Sequence, residues 1–267
     1  MAEQRFDVWD SGAAYERYMG RWSRSVAREF LVWLDRGDGL RWLDVGCGTG
    51  VLSAAVAAGC RPREVLGCDR SEGFVNAAAR ASGVAGAPRH LVADALALPF
   101  RDAAFDVAVS GLMLNFLPEP AVAVRELTRS VRTGGMIAAY VWDYGDGMDL
   151  LSHFWAAAAE ADPAAAALDE GRRFRDCRPG PLHSLWTDAG LADVSTTPIE
   201  VPTVFADFAD LWDPFLSGQG PAPGYVASLA PAARDRLREG LRARVPVAPD
   251  GSVPLTARAW AVRGVRP

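Results

Sequence analysis

Short apolar runs alternate with longer amphipathic stretches along the first half of the chain. Five apolar runs predict β-strands, at Arg41–Val45, Glu64–Cys68, His90–Ala93, Phe105–Ser110 and Met136–Trp142. Stretches between them predict helices, at Leu52–Ala58, Glu72–Ala81 and about residues 118–131. Because strands that are apolar throughout must be covered on both faces, the alternation predicts an α/β fold with an open, doubly wound parallel sheet.

The flanking segments have a different pattern. Apolar residues at three- and four-residue spacing predict a helix over Ala13–Leu34. After the fifth predicted strand, helices are expected at Met148–Ala167, Leu182–Ala189, Phe205–Leu216 and Ala232–Arg244. Two more strands are expected at Val194–Val201 and Ser252–Val262, and loops at Glu170–Pro181 and Gly218–Gly224.

Composition narrows the classes of function. The net charge is −5 and the isoelectric point about 5.3, which argues against the basic surface typical of nucleic-acid-binding proteins. The four cysteines contain no CxxC pair, so neither a metal site nor a disulfide framework is predicted. No apolar run approaches the ~20 residues of a membrane-spanning helix, and the N-terminus lacks a signal-peptide core. We therefore expect a cytoplasmic protein without a nucleic-acid or membrane partner.

The strongest chemical signal is the run LDVGCGTG, Leu43–Gly50, at the end of the first predicted strand. Its three alternating glycines let the backbone turn sharply and let a ligand lie against it, whereas a simple turn needs only one or two. A nicotinamide dinucleotide site needs the spacing GxGxxG, which would put a glycine where Val51 stands. A nicotinamide dinucleotide site remains the alternative interpretation of this glycine loop.

Two acidic residues follow the next two predicted strands. Asp69 closes the second strand about twenty residues after the glycine loop, where an acid can accept both hydroxyls of a ribose. Asp94 follows the third strand, where a carboxylate can accept a hydrogen bond from an adenine amino group. Taken separately, Asp69 would more often be a helix-capping or solvated acid, and Asp94 can also be interpreted as a loop acid.

The ordered motifs LDVGCGTG, GCDRSEGFV, ADALALPF, FDVAVSGLMLNFLPEP and TGGMIAAYVWD extend over Arg41–Trp142. Together they resemble the class I S-adenosylmethionine-dependent methyltransferases, in particular the small-molecule group that includes ubiquinone- and menaquinone-biosynthesis-like enzymes. The resemblance implies a Rossmann-like sheet of seven strands, mostly parallel with an antiparallel last strand. It also implies an N-terminal helical lid over residues 1–36. Residues 37–267 would form the methyltransferase domain, with acceptor-pocket insertions at about 144–182 and 203–245.

The resemblance also implies which residues contact S-adenosylmethionine. The glycine loop would pack against the methionine part of the cofactor. Asp69 would hold the ribose, and Arg70 would lie by the adenine. The end of the fourth strand would line the sulfonium region. The full predicted set is Tyr18, Arg21, Gly46, Cys47, Gly48, Gly50, Asp69, Arg70, Asp94, Ala95, Ser110 and Leu112.

The implied reaction is transfer of a methyl group to a small-molecule acceptor whose reacting atom the sequence does not specify. The Asn/Asp-Pro-Pro-aromatic tetrad of DNA amino-methyltransferases is missing after the fourth strand. His153, His183 and Asp143 are candidate bases, none of which is assigned, and His90 is interpreted as structural. Two other functions stay open, a nicotinamide-dependent oxidoreductase and a non-catalytic S-adenosylmethionine-binding protein. The sequence leaves the oligomeric state open.

Two groups of aromatic residues allow two interpretations. They are Phe154, Trp155 and Phe174, and, at helical spacing, Phe205, Phe208, Trp212 and Phe215. Either they form part of the hydrophobic core or some of them line an apolar acceptor pocket.

Overall fold

The computed structural model of the chain describes residues 20–81, 87–218 and 220–267. They form two compact units. The sheet unit comprises Ser23–Trp142, Asp176–Ile199 and Ala259–Pro267, and the helical unit comprises the described residues up to Trp22, Asp143–Arg175 and Glu200–Arg258. The predicted division into a lid over residues 1–36 and one further domain stays a prediction.

A seven-stranded sheet organises the fold. Its strands are β1 (Arg41–Val45), β2 (Glu64–Asp69), β3 (Arg89–Val92), β4 (Phe105–Gly111), β5 (Val131–Trp142), β6 (Ala192–Phe205) and β7 (Val253–Val265). The strand order is β3-β2-β1-β4-β5-β7-β6, with β1 to β5 parallel and β7 antiparallel to β5. This confirms the predicted fold class, including the antiparallel last strand.

The order of the strands determines where a ligand can bind. The chain runs outward from β1 to β3, then returns to place β4 on the other side of β1. Loops that follow β1 and β4 therefore leave the sheet on opposite faces, which opens a crevice at the carboxyl ends of these two strands. In register, Val45 lies beside Cys68, and Asp69 lies beside Val92, so the predicted acids meet the glycine loop at this edge.

Ten α-helices surround or follow these strands in the described part of the chain. They are α1 (Arg21–Leu34), α2 (Val51–Gly59), α3 (Glu72–Ala81), α4 (Pro120–Ser130), α5 (Asp149–Ala161), α6 (Glu170–Arg173), α7 (Pro179–Asp188), α8 (Phe208–Trp212), α9 (Pro221–Ser228) and α10 (Pro231–Arg244). Short 3₁₀ turns occur at Leu114–Phe116, Pro163–Leu168 and Asp213–Ser217. None of the helices in these ranges is long and apolar enough to cross a membrane.

The predictions of loops at Glu170–Pro181 and Gly218–Gly224 were wrong in part, because helices begin inside both segments. Helix α9 begins at Pro221, inside the segment Gly218–Gly224, because proline is compatible with the first turn of a helix and the residues of that turn are buried. Within Glu170–Pro181, helix α6 begins where the Asp169 carboxylate accepts the amide of Gly171. Composition suggested loops at both places, but capping and burial stabilise helices there.

Two predicted helices end earlier than expected, in each case near a proline. Over Met148–Ala167, α5 ends at Ala161 and a 3₁₀ turn begins at Pro163. Over Phe205–Leu216, Phe205 is still in β6 and α8 changes to a 3₁₀ turn next to Pro214. Proline cannot donate the backbone hydrogen bond that an α-helix interior requires.

Candidate cofactor-binding site

The glycine loop connects β1 to α2 at the carboxyl edge of the sheet. Gly46, Gly48 and Gly50 have φ angles of +73°, +52° and +86°, values in the left-handed region that side-chain-bearing residues rarely adopt. The amides of Gly46 and Cys47 both donate to the carbonyl oxygen of Cys68, at 2.8 and 2.9 Å. The loop is therefore tightly turned and fastened to β2.

The loop glycines differ in what surrounds them. A Cβ atom at Gly46 would lie 2.3 Å from Cγ of Met113, so the turn after β4 packs directly on this backbone. At Gly48, no atom of the described residues lies within 4 Å of the corresponding position. Gly46 is thus needed for packing, whereas Gly48 leaves bare backbone available to a ligand.

Asp69 joins the end of β2 to the glycine loop. Its Oδ2 accepts a hydrogen bond from the amide of Gly48 at 3.0 Å, and its Oδ1 accepts from the amide of Ser71 at 2.8 Å. Each carboxylate oxygen has a further lone pair that can accept from a ligand hydroxyl. Asp69 is therefore held between the glycine loop and the residue before α3, while the Ser71 hydroxyl accepts from the amide of Phe74 in that helix, and Arg70 is exposed.

The loop after β3 places Asp94 and Ala95 next to this region. The amide of Ala93 donates to the carbonyl oxygen of Asp69 at 3.0 Å, which fastens the start of the loop to the end of β2. The exposed Asp94 carboxylate accepts from the amide of Leu96 at 2.9 Å, while Ala95 is buried. One carboxylate oxygen shapes the turn, and the other is available to a ligand.

The end of β4 carries two unusual features. Ser110 is completely buried, and its Oγ has no hydrogen-bond partner among the residues that the structure describes. Leu112 has a φ angle of +59°, a strained conformation for a residue with a side chain, and its amide donates to the carbonyl oxygen of Tyr140 at 2.8 Å. Buried unpaired groups and backbone strain concentrate where ligands bind.

Asp44, which the sequence reasoning did not select, lies in β1 just before the glycine loop. Its side chain is buried, Oδ2 accepts from the Ser53 hydroxyl at 2.6 Å, and Oδ1 has no partner among the described residues. Burial raises the pKa of this carboxyl group to about 7. The sequence signal that could have identified Asp44 is an acidic residue inside a predicted strand that is mostly apolar.

Of the two residues predicted in the N-terminal helix, the structure describes Arg21. Tyr18 lies outside the described residues. Arg21 belongs to the helical unit, where its guanidinium donates to both carboxylate oxygens of Asp210 at 2.8–3.0 Å. It also lies 5.1 Å from the centre of the Phe205 ring. The pair engages both terminal nitrogens of Arg21, and the predicted contact of Arg21 with the cofactor stays a prediction.

The candidate bases have different surroundings. Asp143 is buried in the helical unit, where its Oδ2 accepts from Nε and Nη2 of Arg258 at 2.8 and 2.7 Å. His183 is exposed on α7 and His153 is half-buried on α5. His90 packs beneath the glycine loop, where burial lowers its pKa and favours the neutral ring. The ion pair with Arg258 gives Asp143 a structural role, and protonation of Asp143 as a base would remove the charge that this pair needs.

The aromatic groups contribute to the core of the helical unit. The Phe154 and Phe215 rings stack with centres 4.5 Å apart, and both side chains are fully buried. The other members of the two groups are buried as well, with exposed fractions of 9% or less at Trp155, Phe174, Phe205, Phe208 and Trp212. The core interpretation therefore accounts for them.

Comparison with known families agrees with this geometry. Residues 43–139, which contain the glycine loop, Asp69 and Asp94, match the family model described as a methyltransferase domain. Residues 43–139 are thus similar to a methyltransferase domain. This matched segment lies within the sheet unit and contains the candidate site.

Individual similar proteins match longer parts of the chain, by sequence over half of it and by fold over most of it. A demethylmenaquinone methyltransferase of Staphylococcus aureus is 34% identical over 135 residues, 50% of this chain and 54% of the relative. The match therefore spans about half the length of the curated relatives. The structure of YcgJ from Bacillus subtilis has a TM-score of 0.59 at 17% identity, covering 91% of this chain and 98% of that one.

A third comparison is the Haemonchus contortus phosphoethanolamine N-methyltransferase 2, solved with phosphomonomethylethanolamine and S-adenosylhomocysteine. It has a TM-score of 0.59 at 16% identity, covering 96% of this chain and 57% of that one. At these identities, the two structural comparisons establish a shared fold.

Proposed function

We propose that the methyltransferase domain binds S-adenosylmethionine at the carboxyl edge of its sheet and transfers the methyl group to a small-molecule acceptor. One observation carries the proposal. Asp69 is held by the amides of Gly48 and Ser71, so its carboxylate is fixed beside the glycine whose side-chain position is open. A carboxylate fixed next to bare backbone is what recognition of a ribose on a glycine loop requires.

The neighbouring loop accounts for the base of the ligand. Asp94 uses one oxygen to accept from Leu96 and keeps the second for the exocyclic amino group of adenine. Ala95 lies at the same turn and is small and buried, so it leaves room for the purine edge. Arg70 is exposed beside Asp69 and can cover the adenine from the solvent side.

Two unpaired buried groups fit the reacting end of the ligand. Asp44 Oδ1 and Ser110 Oγ have no partners among the described residues, at the ends of the two strands between which the crevice opens. Above the raised pKa of about 7, Asp44 carries a negative charge that favours a positively charged ligand. When bound, S-adenosylmethionine supplies a methyl group already activated by its positively charged sulfur.

The residues of the domain therefore need only to orient the reactants and exclude water. Met113 closes the turn against Gly46, and the strained Leu112 backbone fixes the end of β4. Alignment of an acceptor with the reacting bond supplies much of the acceleration in such a transfer. No described residue is assigned as a general base, and one is needed only if the acceptor keeps its proton until attack.

The class of acceptor is inferred from the names of similar proteins and from the charge of the chain. The S. aureus relative is named for demethylmenaquinone and the H. contortus protein for phosphoethanolamine, both small molecules. The net charge of −5 is unfavourable for a nucleic-acid acceptor. We therefore propose a small-molecule acceptor without naming the atom that is methylated.

Calorimetric titration with S-adenosylhomocysteine, the demethylated product, tests the proposal. We expect binding by the wild-type protein and weakening by about 1.5–3 kcal/mol in Asp69→Ala, the range for a hydrogen bond to a charged group. Asp38→Ala, which removes an exposed acid paired with Arg61, is the matched control and should bind normally. Binding of NADH in place of the adenosyl ligand would identify a nicotinamide enzyme instead, and binding without methylated product from any acceptor would identify a non-catalytic protein.

A further inference from the structure

Two charged side chains on α4 are paired one helical turn apart. Arg129 Nε donates to Glu126 Oε1 at 2.9 Å, and Arg129 Nη2 donates to Glu126 Oε2 at 2.8 Å. The two side chains are 31% and 20% exposed, so solvent only partly screens the pair. This Glu126–Arg129 pair forms a rigid, bidentate unit on the surface of the helix.

The same pair holds the loop that follows the predicted adenine site. Glu126 Oε2 accepts from the amide of Leu98 at 2.8 Å. Arg129 donates to the carbonyl oxygens of Phe100 and Leu98 at 2.7 and 3.0 Å, and to the Asp102 carboxylate at 2.8 Å. Both backbone groups of Leu98 are thus bound by one ion pair that lies 28 to 31 residues further along the chain.

This arrangement fixes the turn containing Asp94 at both ends. Before the turn, the amide of Ala93 donates to Asp69 O at 3.0 Å. After it, Leu98 is held by the Glu126–Arg129 pair. Only residues 94–97 lie between, and inside that span the amide of Ala97 donates to Asp94 O at 3.1 Å. The Asp94 carboxylate therefore has a defined position relative to the ribose-binding edge.

We propose that the Glu126–Arg129 pair sets the selectivity of the methyltransferase domain for an adenine base, by holding the Asp94 turn in place. The inference rests on the proposed function and adds a specificity determinant to it. Neither residue belongs to the predicted cofactor-contacting set, and the proposal assigns both a positioning role. A hydrogen bond discriminates between bases only if its acceptor is held within a fraction of an ångström, and the pair supplies that restraint.

Selectivity can be measured with two ligands that differ only in the base. S-adenosylhomocysteine carries an amino group at the position where S-inosylhomocysteine carries an oxygen, which the Asp94 carboxylate repels. We expect the wild-type protein to bind the adenosyl ligand at least about tenfold more tightly, as the difference of one hydrogen bond to a charged group implies. In Arg129→Ala, this ratio of dissociation constants should fall to about twofold, with little change for the inosyl ligand.

Control and conservative variants separate positioning from folding. Arg132→Ala removes a neighbouring arginine whose Nε donates to Asp106 Oδ1 at 2.6 Å, and it should keep the wild-type ratio. Glu126→Gln keeps an oxygen that can accept from Leu98 but loses the charge of the pair, and the ratio should fall partway. If Arg129→Ala does not fold, as judged by circular dichroism, Glu126→Gln decides the question.

The outcomes distinguish the two proposals. Equal weakening of both ligands in Arg129→Ala and in Glu126→Gln, with an unchanged ratio, would overturn the selectivity role and leave the proposed function intact. A wild-type protein that binds neither ligand would overturn the proposed function, and the selectivity role with it. A selective loss of adenosyl affinity in the two variants, absent from Arg132→Ala, would support both.

Discussion

Replacing Asp44 with asparagine should change the pH dependence of stability more than any other single substitution at this site. The Asp44 side chain is 1% exposed, and only one of its oxygens has a partner among the described residues, the Ser53 hydroxyl at 2.6 Å. Asparagine has nearly the same shape, keeps an oxygen that can accept from Ser53, and cannot ionise. The substitution therefore removes the titration with little change in packing.

The size of the effect follows from the raised pKa. Burial moves the pKa of Asp44 from its ordinary value of 3.8 to about 7 in the folded protein. Between these values the folded state keeps a proton that the unfolded state has released, so the free energy of unfolding falls as the pH rises. The contribution is fully favourable below about pH 4 and is lost by about pH 7. The total change is roughly 4 kcal/mol, at 1.36 kcal/mol per pKa unit.

Urea unfolding followed by circular dichroism at pH 4.5, 6 and 8 measures this change. Relative to the wild type, Asp44→Asn should become progressively more stable as the pH rises across this range. Asp38→Asn, at an exposed acid, should follow the wild type throughout. Wild-type and Asp44→Asn proteins whose free energies of unfolding differ by the same amount at all three pH values would refute the reasoning.

Two further substitutions test other parts of the account. Gly48→Val places a side chain where no atom of the described residues lies within 4 Å, so it should leave the fold intact apart from ~1–2 kcal/mol of backbone strain. It should nevertheless abolish calorimetric binding of S-adenosylhomocysteine, and normal binding would show that the ligand does not lie on this loop. Asp143→Ala leaves Arg258 without its buried partner and should lower the free energy of unfolding by about 3 kcal/mol in urea titrations. Glu200→Ala, 3.5 Å from the same arginine but 60% exposed, should change it little, and equal stabilities of the two variants would contradict a structural role for Asp143.

The sheet was predictable because its strands are encoded locally. Strands such as β1 and β4 are apolar through most of their length, and the glycines after β1 mark the turn that only such residues adopt easily. The spacing of Asp69 and Asp94 from that loop then located the same edge of the sheet. Each of these signals is a residue type at the end of a predicted strand, and it can be recognised without knowing any contact between distant residues.

Other features depend on contacts between distant residues. Helix α9 begins in a segment rich in glycine and proline because its first turn is buried, which composition does not reveal. The bonds from Arg129 to Leu98 and Phe100 join a helix to a loop about thirty residues earlier. The unpaired oxygen of Asp44 becomes evident only when its surroundings are known. The sequence therefore predicted the loops of the candidate site but not the groups that hold these loops in position.

The central claim is that an adenosyl ligand lies on the glycine loop with its ribose held by Asp69 and its base by Asp94. A crystal structure of the protein grown with S-adenosylhomocysteine tests this most directly. The account predicts a nucleoside along Gly46–Gly50, with both ribose hydroxyls within hydrogen-bond distance of Asp69 and the adenine amino group within reach of Asp94. A nucleoside bound elsewhere, or one whose ribose faces away from Asp69, would contradict it.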